Sequence, residues 1–543
     1  MKARIRNQRG IVLMITLMFT LISAIGVAAF LHLMKTQVVQ VRLQSHSTKA
    51  FYAAEVGLGK AMELLKNDFY YTPKPARPSW ADGAIYTAAD CIDLTPRGYP
   101  RYLDLENPDY DNDFYSLVAE TDYYLEPNKN YKATCQIDLS NLQGWTDRVW
   151  VKATGRYYRR NKDGSGFILE AERRILSLVG AREISPWGNA IFAGAGQHGM
   201  VINGNVDIRG SVHILASSLG SNDMAMDLSG TGDIKNTYAG IPSDLGLRMP
   251  SIEKPYGAEM LDSLETEVRI QHGKLALSGT AGVGEPDVPG NVVKERVEGV
   301  YITDAYGGNQ GDKNVYSDNG KHNPYDLGPE FGIEFPLLTG PYGGYDNYLE
   351  DYLKPNALVI SESDNDKLSQ LQNIDPSSNF DYSNDKGQIK MENGLLTIRG
   401  KVVVEGNVNF NKLYDENGIM LDSTIEYQGK ASLTSTGSVG INCNLITTSF
   451  STYPTADILG VMAVDAITFN SAQTNVMGVF YAQNQIVSQK QTSVAGTFFS
   501  NYFNMGKNVP SIFQVPGTVY NLPPGMIGDR RIWTMRKMTW GEI

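Results

Sequence analysis

The chain has 543 residues, of which 42% are hydrophobic and 20% are charged. This length predicts three or four domain-sized pieces, and the balanced composition excludes a wholly disordered chain and a multi-span membrane protein. Residues 1–66 carry a net charge of +7, and the rest of the chain carries −18. Because an acidic body repels phosphate backbones, we expect no nucleic-acid partner. The 54 Gly, 30 Tyr and 24 Pro favour a mostly β body.

The N-terminus has the pattern of a membrane anchor. Residues 1–10 are short and basic, and residues 11–34 are apolar apart from His32 and a few hydroxyl side chains. As a helix, residues 11–34 are about 36 Å long, enough to cross a hydrocarbon core of about 30 Å. The arginines are predicted to stay in the cytoplasm while the acidic body is exported. A cleavable secretory signal is the rival interpretation, but its apolar core is only about 7–15 residues long.

The helix is predicted to continue beyond the membrane. From Lys35 to Lys66 there is no proline, and apolar residues recur mostly at spacings of three and four. Residues 11–66 are therefore predicted to form one helix of about 80 Å. Its first half needs lipid or a filament core, and its second half needs a domain to pack on.

Three features of this region occur in a recognisable order: a basic leader ending in Arg9-Gly10, an apolar start at Ile11, and the segment Ala50–Leu58, which reads AFYAAEVGL. Over about the first 66 residues this combination resembles the N-terminus of PilX-type minor pilins of type IV pilus systems. The resemblance implies that prepilin peptidase cleaves between Gly10 and Ile11 and that Ile11 becomes a methylated N-terminus. It also implies insertion into the inner membrane, with a single span, before assembly, and a place on the pilus or extracellular surface afterwards.

The partners implied by the resemblance are other minor and major pilins, prepilin peptidase, the inner-membrane assembly platform and a tip adhesin. Major pilins carry a glutamate at the fifth mature position, which here is Ile15. That difference resembles tip-located minor pilins and also the tip subunit of type II secretion pseudopili. In the helix motif Ala53, Ala54 and Glu55, the glutamate either contacts a partner, pairs with Lys60 or faces water.

Residues 67–186 are predicted to form a pilin-like head. Residues 147–158 alternate large and polar side chains, a turn containing Asp163 and Gly164 follows, and 167–180 returns. This pattern predicts an antiparallel hairpin on which the second half of the helix packs.

The three cysteines differ in their predicted roles. Cys91 and Cys135 fall in the predicted head, and an exported body permits a disulfide between them or leaves them unpaired. Cys443 is predicted to be a small core residue.

An acidic stretch of the head has the spacing of a calcium-binding loop. Asp109, Asp111 and Asp113 alternate, and Glu120 occupies the twelfth position counted from Asp109. Phe114 stands where such a loop needs glycine. Calcium is therefore the only candidate cofactor, and an ordinary acidic surface loop is the alternative.

The C-terminal part shows alternation typical of β-strands. Residues 202–214 and 396–410 alternate apolar or glycine positions with polar ones, and Gly460, Gly478 and Gly496 are 18 residues apart. A fixed period with alternation predicts a β-solenoid or β-helix with one coil per repeat. A sandwich or meander with accidental spacing is the alternative.

The predicted fold is thus an α+β pilin-like part followed by a mainly β body. The solenoid is assigned to residues 187–227 and 394–520, an insertion to 228–393 and a C-terminal tail to 521–543.

No familiar catalytic motif occurs in the sequence, and we expect no enzyme activity. Asp207, Arg209, Arg399, Glu405 and His213 are predicted to face outward as a solvated surface. A minor pilin that joins or primes a pilus and displays its β body at the tip is the favoured function. A pilus-tip adhesin or surface-binding protein, a type II secretion pseudopilin and a polysaccharide-active β-helix enzyme are the alternatives.

Overall fold

A computed structural model describes residues 2–71, 115–125, 130–141, 148–194, 200–252, 255–256, 261–328, 333–506, 510–529 and 532–542. The chain divides into two units. The first comprises Met1–Arg182 with Trp533–Ile543, and the second comprises Glu183–Ile532.

The first unit begins with a single helix, α1, over Lys2–Tyr71. At 1.5 Å per residue its 70 residues are about 105 Å long. One uninterrupted helix was predicted over 11–66, and the structure extends it at both ends. The C-terminal end follows from the sequence, because Pro73 disfavours helical geometry at the residue before it.

The head of the first unit contains four long antiparallel strands. These are β1 (Tyr115–Leu125), β2 (Tyr131–Asn141), β3 (Arg148–Arg160) and β4 (Phe167–Ile184). The predicted hairpin is present as β3 and β4, which pair antiparallel. In the turn, Asp163 Oδ1 accepts hydrogen bonds from the Ser165 amide at 2.9 Å and the Ser165 hydroxyl at 2.7 Å.

The second unit is the β body. Its first strands are β5 (Ile191–Ala193), β6 (Met200–Gly204), β7 (Asp207–Arg209), β8 (Val212–Ile214), β9 (Met224–Leu228), β10 (Asp233–Lys235), β11 (Pro255–Tyr256), β12 (Leu261–Asp262), β13 (Glu267–Ile270), β14 (Lys274–Leu277), β15 (Gly282–Val283), β16 (Gly299–Ile302) and β17 (Tyr306–Gly307). The next are β18 (Leu358–Ile360), β19 (Phe380–Ser383), β20 (Gly387–Glu392), β21 (Leu395–Val404), β22 (Val408–Phe410), β23 (Leu413–Tyr414), β24 (Met420–Asp422), β25 (Thr424–Gln428) and β26 (Lys430–Ser435). The last are β27 (Val439–Ile441), β28 (Asn444–Thr447), β29 (Ile458–Ala463), β30 (Ala466–Phe469), β31 (Thr474–Ser488), β32 (Thr492–Asn504) and β33 (Ser511–Phe513). Two short helices accompany them, α2 (Ser243–Arg248) and α3 (Asn365–Leu371).

Most body strands pair in parallel, in three ladders. One ladder runs β18-β21-β26-β29-β31-β32-β5-β8-β13-β16. A second runs β22-β27-β30-β31-β32-β6-β9-β14-β17. The third runs β21-β25-β28-β31-β32-β33-β7-β10-β15.

The ladders do not form the regular solenoid that the sequence predicts. Because β21 and β31 each belong to more than one ladder, the six strands β21, β25, β28, β31, β29 and β26 close into a ring of parallel pairs. The order of the strands also departs from chain order, since β5 and β6 pair with β32 from near the other end of the chain.

The 18-residue period holds for one step only. Gly478 pairs with Gly496, but Gly460 pairs with Val479, one residue out of the predicted register. At Gly496 the backbone has φ of +149°, and a Cβ there would overlap the carbonyl oxygen of Gly478. Glycine at position 496 therefore allows β31 and β32 to approach closely. Gly460, the remaining glycine of the apparent repeat, does not take part in this contact.

Two predicted boundaries change in the structure. Residues 228–393 were predicted to be an insertion, but β10 and β13–β17 continue the parallel ladders within that range. Residues 521–543 were predicted to be a separate tail, but β34 (Ile532–Glu542) lies beside β4 in the head sheet. The strands within residues 228–393 are short and irregularly connected. They lack the regular alternation by which the other body strands can be predicted from the sequence.

The interior of the body is apolar, as the alternation predicts. The inward residues of 202–214 are buried, among them Ile202, Ile208 and Ile214, and so is Cys443. Burial raises the pKa of the Cys443 thiol to about 12.

Two of the residues predicted to face solvent are instead buried. Arg209 is 7% exposed and lies 3.8 Å from Asp207, and its Nε donates to the Ala239 carbonyl at 2.9 Å. His213 is 1% exposed, and its Nε2 lies 2.8 Å from the Tyr325 hydroxyl. The residues alternate as predicted, but the outer side of the ladder is covered by other parts of the chain.

Candidate functional site

The first half of α1 presents an apolar surface that no described part of the chain covers. Every side chain from Val12 to Ser45 is exposed. Among the described residues, α1 is the one helix long and apolar enough to cross a membrane. Fifteen large apolar side chains lie exposed between Val12 and Met34. At about 1.5 kcal/mol or more each, covering them is worth roughly 20 kcal/mol, above the 5–15 kcal/mol stability of a typical domain.

The second half of α1 packs on the head sheet through small residues. Its buried face comprises Ala50, Ala53, Ala54, Leu58 and Ala61. These positions recur at three- and four-residue spacings, so they lie on one side of the helix.

Gly155 of β3 permits the close approach of helix and sheet. A Cβ at this position would overlap the Ala50 carbonyl oxygen and the Ala54 amide nitrogen. On the helix side, a Cβ at Gly57 would lie 3.3 Å from Cys135 Cβ. The helix backbone therefore lies directly against the strand. The packing of the helix on this hairpin was predicted, but the role of Gly155 was not. A glycine inside a strand of large residues is the available signal, since it marks close backbone approach.

The predicted helix motif divides between two sides of α1. Ala53 and Ala54 are buried against the sheet, whereas Glu55 is exposed. Because Glu55 is exposed, it can face water or contact a partner.

At its N-terminal edge the helix–sheet contact is aromatic. Tyr131 and Tyr157 stack with ring centroids 5.5 Å apart, and the His46 ring lies 5.1 Å from the Tyr157 ring. Lys49 Nζ donates to the Tyr157 hydroxyl at 2.9 Å, and Arg42 donates to the Tyr131 hydroxyl at 3.1 Å. Two tyrosines of the sheet thus bind cationic side chains that lie two turns apart on α1.

A histidine–glutamate pair lies beneath this cluster. His46 is 6% exposed, and its Nδ1 lies 3.5 Å from Glu170 Oε2. Burial lowers the pKa of His46, because it disfavours the charged imidazolium, and the Glu170 charge opposes this only in part. The hydrogen bond donated by Arg159 lowers the pKa of Glu170.

Beside the cluster lies a groove of about 620 Å³ between α1 and the head sheet. We call it the cationic groove; its lining residues are Met34, Gln37, Val38, Val41, Arg42, Ser45, His46, Lys49, Tyr131 and Tyr157. Arg42 and Lys49 are exposed residues whose charged groups donate to the two tyrosine hydroxyls. The groove combines apolar and cationic walls directly after the predicted membrane span.

The remaining predicted site residues are only partly described by the structure. Gly10 and Ile11 lie within α1, while Cys91, Asp109, Asp111 and Asp113 lie outside the described residues. Cys135 is buried with a free thiol, and its disulfide with Cys91 stays a prediction. Glu120 lies in β1. Within the described ranges, no group of three or more His, Cys, Asp or Glu side chains could hold a metal ion, and the calcium loop also stays a prediction.

In the second unit, a hairpin exposes apolar side chains. β23 and β24 pair antiparallel, and Asp415 Oδ1 fixes their turn by accepting from the Asn417 and Ile419 amides at 2.9 and 2.7 Å. Ile419, Met420 and Leu421 are 62%, 51% and 63% exposed. An ordered turn that holds consecutive apolar side chains in water is typical of a contact surface.

Comparison with known proteins leaves the family open. No protein-family model and no curated protein sequence matches the chain. One similar solved structure is the competence-associated pilin ComZ from Thermus thermophilus, with 16% sequence identity and a TM-score of 0.46. The alignment covers 92% of this chain and 97% of that one.

Replacing Gly155 with alanine is expected to open the helix–sheet contact. The added Cβ meets backbone atoms, which cannot move aside without displacing α1. We therefore expect the free energy needed to separate α1 from the sheet to fall by about 2 kcal/mol. Hydrogen exchange of the peptides covering β3 and Ala50–Ala61 measures this loss. Gly59→Ala is the control, since a Cβ there has nothing within 4 Å and alanine favours helix. Unchanged exchange in Gly155→Ala would contradict the close contact.

Acidification is expected to weaken the head through His46. Because its folded pKa lies below the ordinary 6.5, the unfolded chain binds more protons just below pH 6.5, and stability falls there as pH falls. The lowered pKa of Glu170 adds a second loss below its ordinary 4.5. His46→Gln is expected to flatten the decline that begins near pH 6.5.

The measurement is hydrogen exchange of β2 and β3 at several pH values, corrected for intrinsic exchange rates. His272→Gln, which changes a histidine of the β body, is the control and should keep the wild-type slope. An equal slope in His46→Gln and wild type would refute the role of His46.

Proposed function

We propose that this chain is a minor pilin that is inserted in the inner membrane and joins or primes a type IV pilus. The observation that carries the proposal is the division of α1 into an uncovered apolar half and a half packed on an antiparallel sheet. Lipid covers the apolar half before assembly, and apolar packing with neighbouring helices covers it afterwards. Ala24, Gly26, Ala28 and Ala29 allow such helices to approach closely.

The proposed processing follows from the leader. Prepilin peptidase cleaves after Gly10, and Ile11 becomes the methylated N-terminus. The assembly platform and other minor and major pilins are the proposed partners. The PilX-type resemblance of the first 66 residues supports these assignments.

The proposed position is at or near the filament tip. A buried carboxylate in a helical core needs a cationic partner, and Ile15 supplies no carboxylate at the fifth mature position. A subunit at the tip has no earlier subunit to contact there. In this proposal the large β body is displayed at the tip. The tip subunit of a type II secretion pseudopilus also lacks this glutamate, so such a pseudopilus is the alternative to a pilus.

A second candidate function is surface binding by the β body. The exposed hairpin favours it, because Ile419, Met420 and Leu421 form an ordered apolar edge. Between residues 412 and 422 the hairpin carries one lysine and three acidic residues. Its complement is an apolar cleft with a basic rim.

We propose no catalytic role for the charged residues on the body. Glu405 forms an ion pair with Lys354 at 2.7 Å, which lowers the pKa of Glu405. Arg209 is buried beside Asp207. These charges are engaged in contacts within the chain, which supports structural roles.

Gly10→Val is expected to abolish leader removal, because the β-branched side chain occupies the proposed cleavage position. In cells that produce the chain, the variant should accumulate as an uncleaved, membrane-held precursor. Mass spectrometry of the N-terminus distinguishes it from a mature chain that begins with methylated Ile11. Gly26→Val, placed within the span, is the matched control and should be processed. Normal cleavage of Gly10→Val would exclude the leader assignment.

Ile419→Ser together with Leu421→Ser is expected to reduce adhesion of producing cells severalfold without reducing piliation, since it removes apolar contact area at the hairpin edge. Val288→Ser with Val292→Ser is the control, because those valines are 58% and 72% exposed elsewhere on the body. Adhesion assays and counts of sheared pili give the two readouts. Equal adhesion in all three strains would leave the hairpin without a binding role.

A further inference from the structure

A lysine of the β body is buried between two carboxylates. Lys294 and Glu298 are 3% and 1% exposed, and Lys294 Nζ donates to Glu298 Oε1 at 2.9 Å. The same ammonium group donates to Oδ2 of Asp318, whose side chain is 32% exposed. Burying a charged amine costs free energy that its partners must offset. The assembly role proposed above makes no use of this cluster.

Backbone hydrogen bonds hold the two carboxylates beside Lys294. The Glu298 amide donates to the Thr266 carbonyl at 2.8 Å, and the Asp318 amide donates to the Val297 carbonyl at 3.1 Å. The amine and the carboxyl carbon of Asp318 therefore stay next to each other in the folded chain. Well-oriented groups of this kind react as if each were present at about 10⁵–10⁸ M.

An arginine lies against the second oxygen of Asp318. Arg296 Nε is 3.5 Å from Asp318 Oδ1. This nitrogen is buried, and within the described part of the chain it donates no hydrogen bond. Arg296 Nη2 donates to the Ser317 carbonyl at 2.6 Å, which fixes the guanidinium group. A fixed cationic donor at this place stabilises negative charge that develops on Oδ1 when a nucleophile attacks the carboxyl carbon.

We propose that Lys294 and Asp318 join in an intramolecular amide bond, with Glu298 as the proton carrier. Glu298 takes one proton from the ammonium group, and the neutral amine attacks Cγ of Asp318. A C–N bond forms, and the bond from Cγ to Oδ2 breaks. Oδ2 leaves as water with two of the three ammonium protons, one of them returned by Glu298, and the third proton stays on the amide nitrogen. Glu298 ends ionised, as it began.

Burial assigns the two carboxylates to their different roles. Glu298 is closed off from water, so a proton that it accepts is kept for the second step. Asp318 is partly exposed, so the released water can leave. The product also replaces a buried ion pair with a neutral amide, which removes the free energy of keeping these charges out of water. The reaction occurs once within the chain and needs no outside substrate.

The amide would lock a weakly held segment of the body. Beyond β15 and β16 the described chain extends the ladders through isolated parallel bridges, which involve Val315 and Ser317. Such a segment opens more easily than a strand inside a ladder. A covalent bond at Asp318 ties it to the ladder through Lys294, and the closed loop lowers the entropy of the opened state.

Peptide mapping of the full wild-type chain tests the bond directly. After denaturation and trypsin digestion, mass spectrometry should find the peptides of Lys294 and Asp318 joined, with the loss of one water molecule. Lys313 separates Glu298 from Asp318 in the digest, so the two possible linkages give different peptides. Unjoined peptides for both residues would overturn the proposal, and a bond to Glu298 would overturn the assignment of Asp318. This result needs no variant to fold.

Two variants test the mechanism and the lock. Lys294→Arg keeps the positive charge but forms no amide, so its peptides should be linear. Hydrogen exchange of residues 314–321 should then be at least about tenfold faster than in wild type. Glu298→Gln removes the proton carrier and should reduce the joined peptide at least about tenfold. Equal exchange in Lys294→Arg would exclude the lock, and full joining in Glu298→Gln would exclude the proton carrier.

Lys354 provides the matched control. It also contacts two carboxylates, those of Glu350 at 2.8 Å and Glu405 at 2.7 Å, but its side chain is 22% exposed. We expect its peptide to be linear in wild type, because water surrounds this ion pair. Lys354→Arg should leave the joined peptide of Lys294 unchanged. An amide at Lys354 as well would contradict the argument from burial.

Discussion

The structure depends on one constraint, the need to keep the first half of α1 out of water. Its fifteen large exposed side chains between Val12 and Met34 represent more apolar free energy than a typical domain has in net stability. No intramolecular fold of the described residues covers them. Under the proposed function, lipid or other helices cover this surface, and α1 acts as an assembly element rather than a core element.

The same helix changes role within a few turns. Between Ala50 and Ala61 most of its buried positions are alanines, and Gly155 allows the backbone of α1 to lie against β3. Small residues give little apolar area each, so stability comes from close contact over several turns rather than from large side chains. The tyrosine, histidine and glutamate cluster lies where this packing begins. Changes in charge there bear directly on how firmly the helix is held.

The β body shows a different constraint. Because β5 and β6 pair with β32, the ladders are complete only when segments from near both ends of the body have met. Contacts between residues far apart in sequence are slow to form, since loop closure precedes the gain from pairing. The ring of six parallel strands gives one end of the body a closed arrangement. The hairpin of β23 and β24 adds an exposed edge that takes no part in the ladders.

The sequence by itself determined the features that are local and periodic. The single helix, the hairpin of β3 and β4, and the inward residues of β7 and β8 follow from patterns within a few turns or one strand. Tertiary structure decided the rest. Gly155 acquires its role only because α1 lies on it, and His213 is buried because residues distant in sequence, among them Tyr325 and Phe192, pack against it. Alternation shows which side of a strand is apolar, but it does not show which distant segment covers the other side or which strand pairs next.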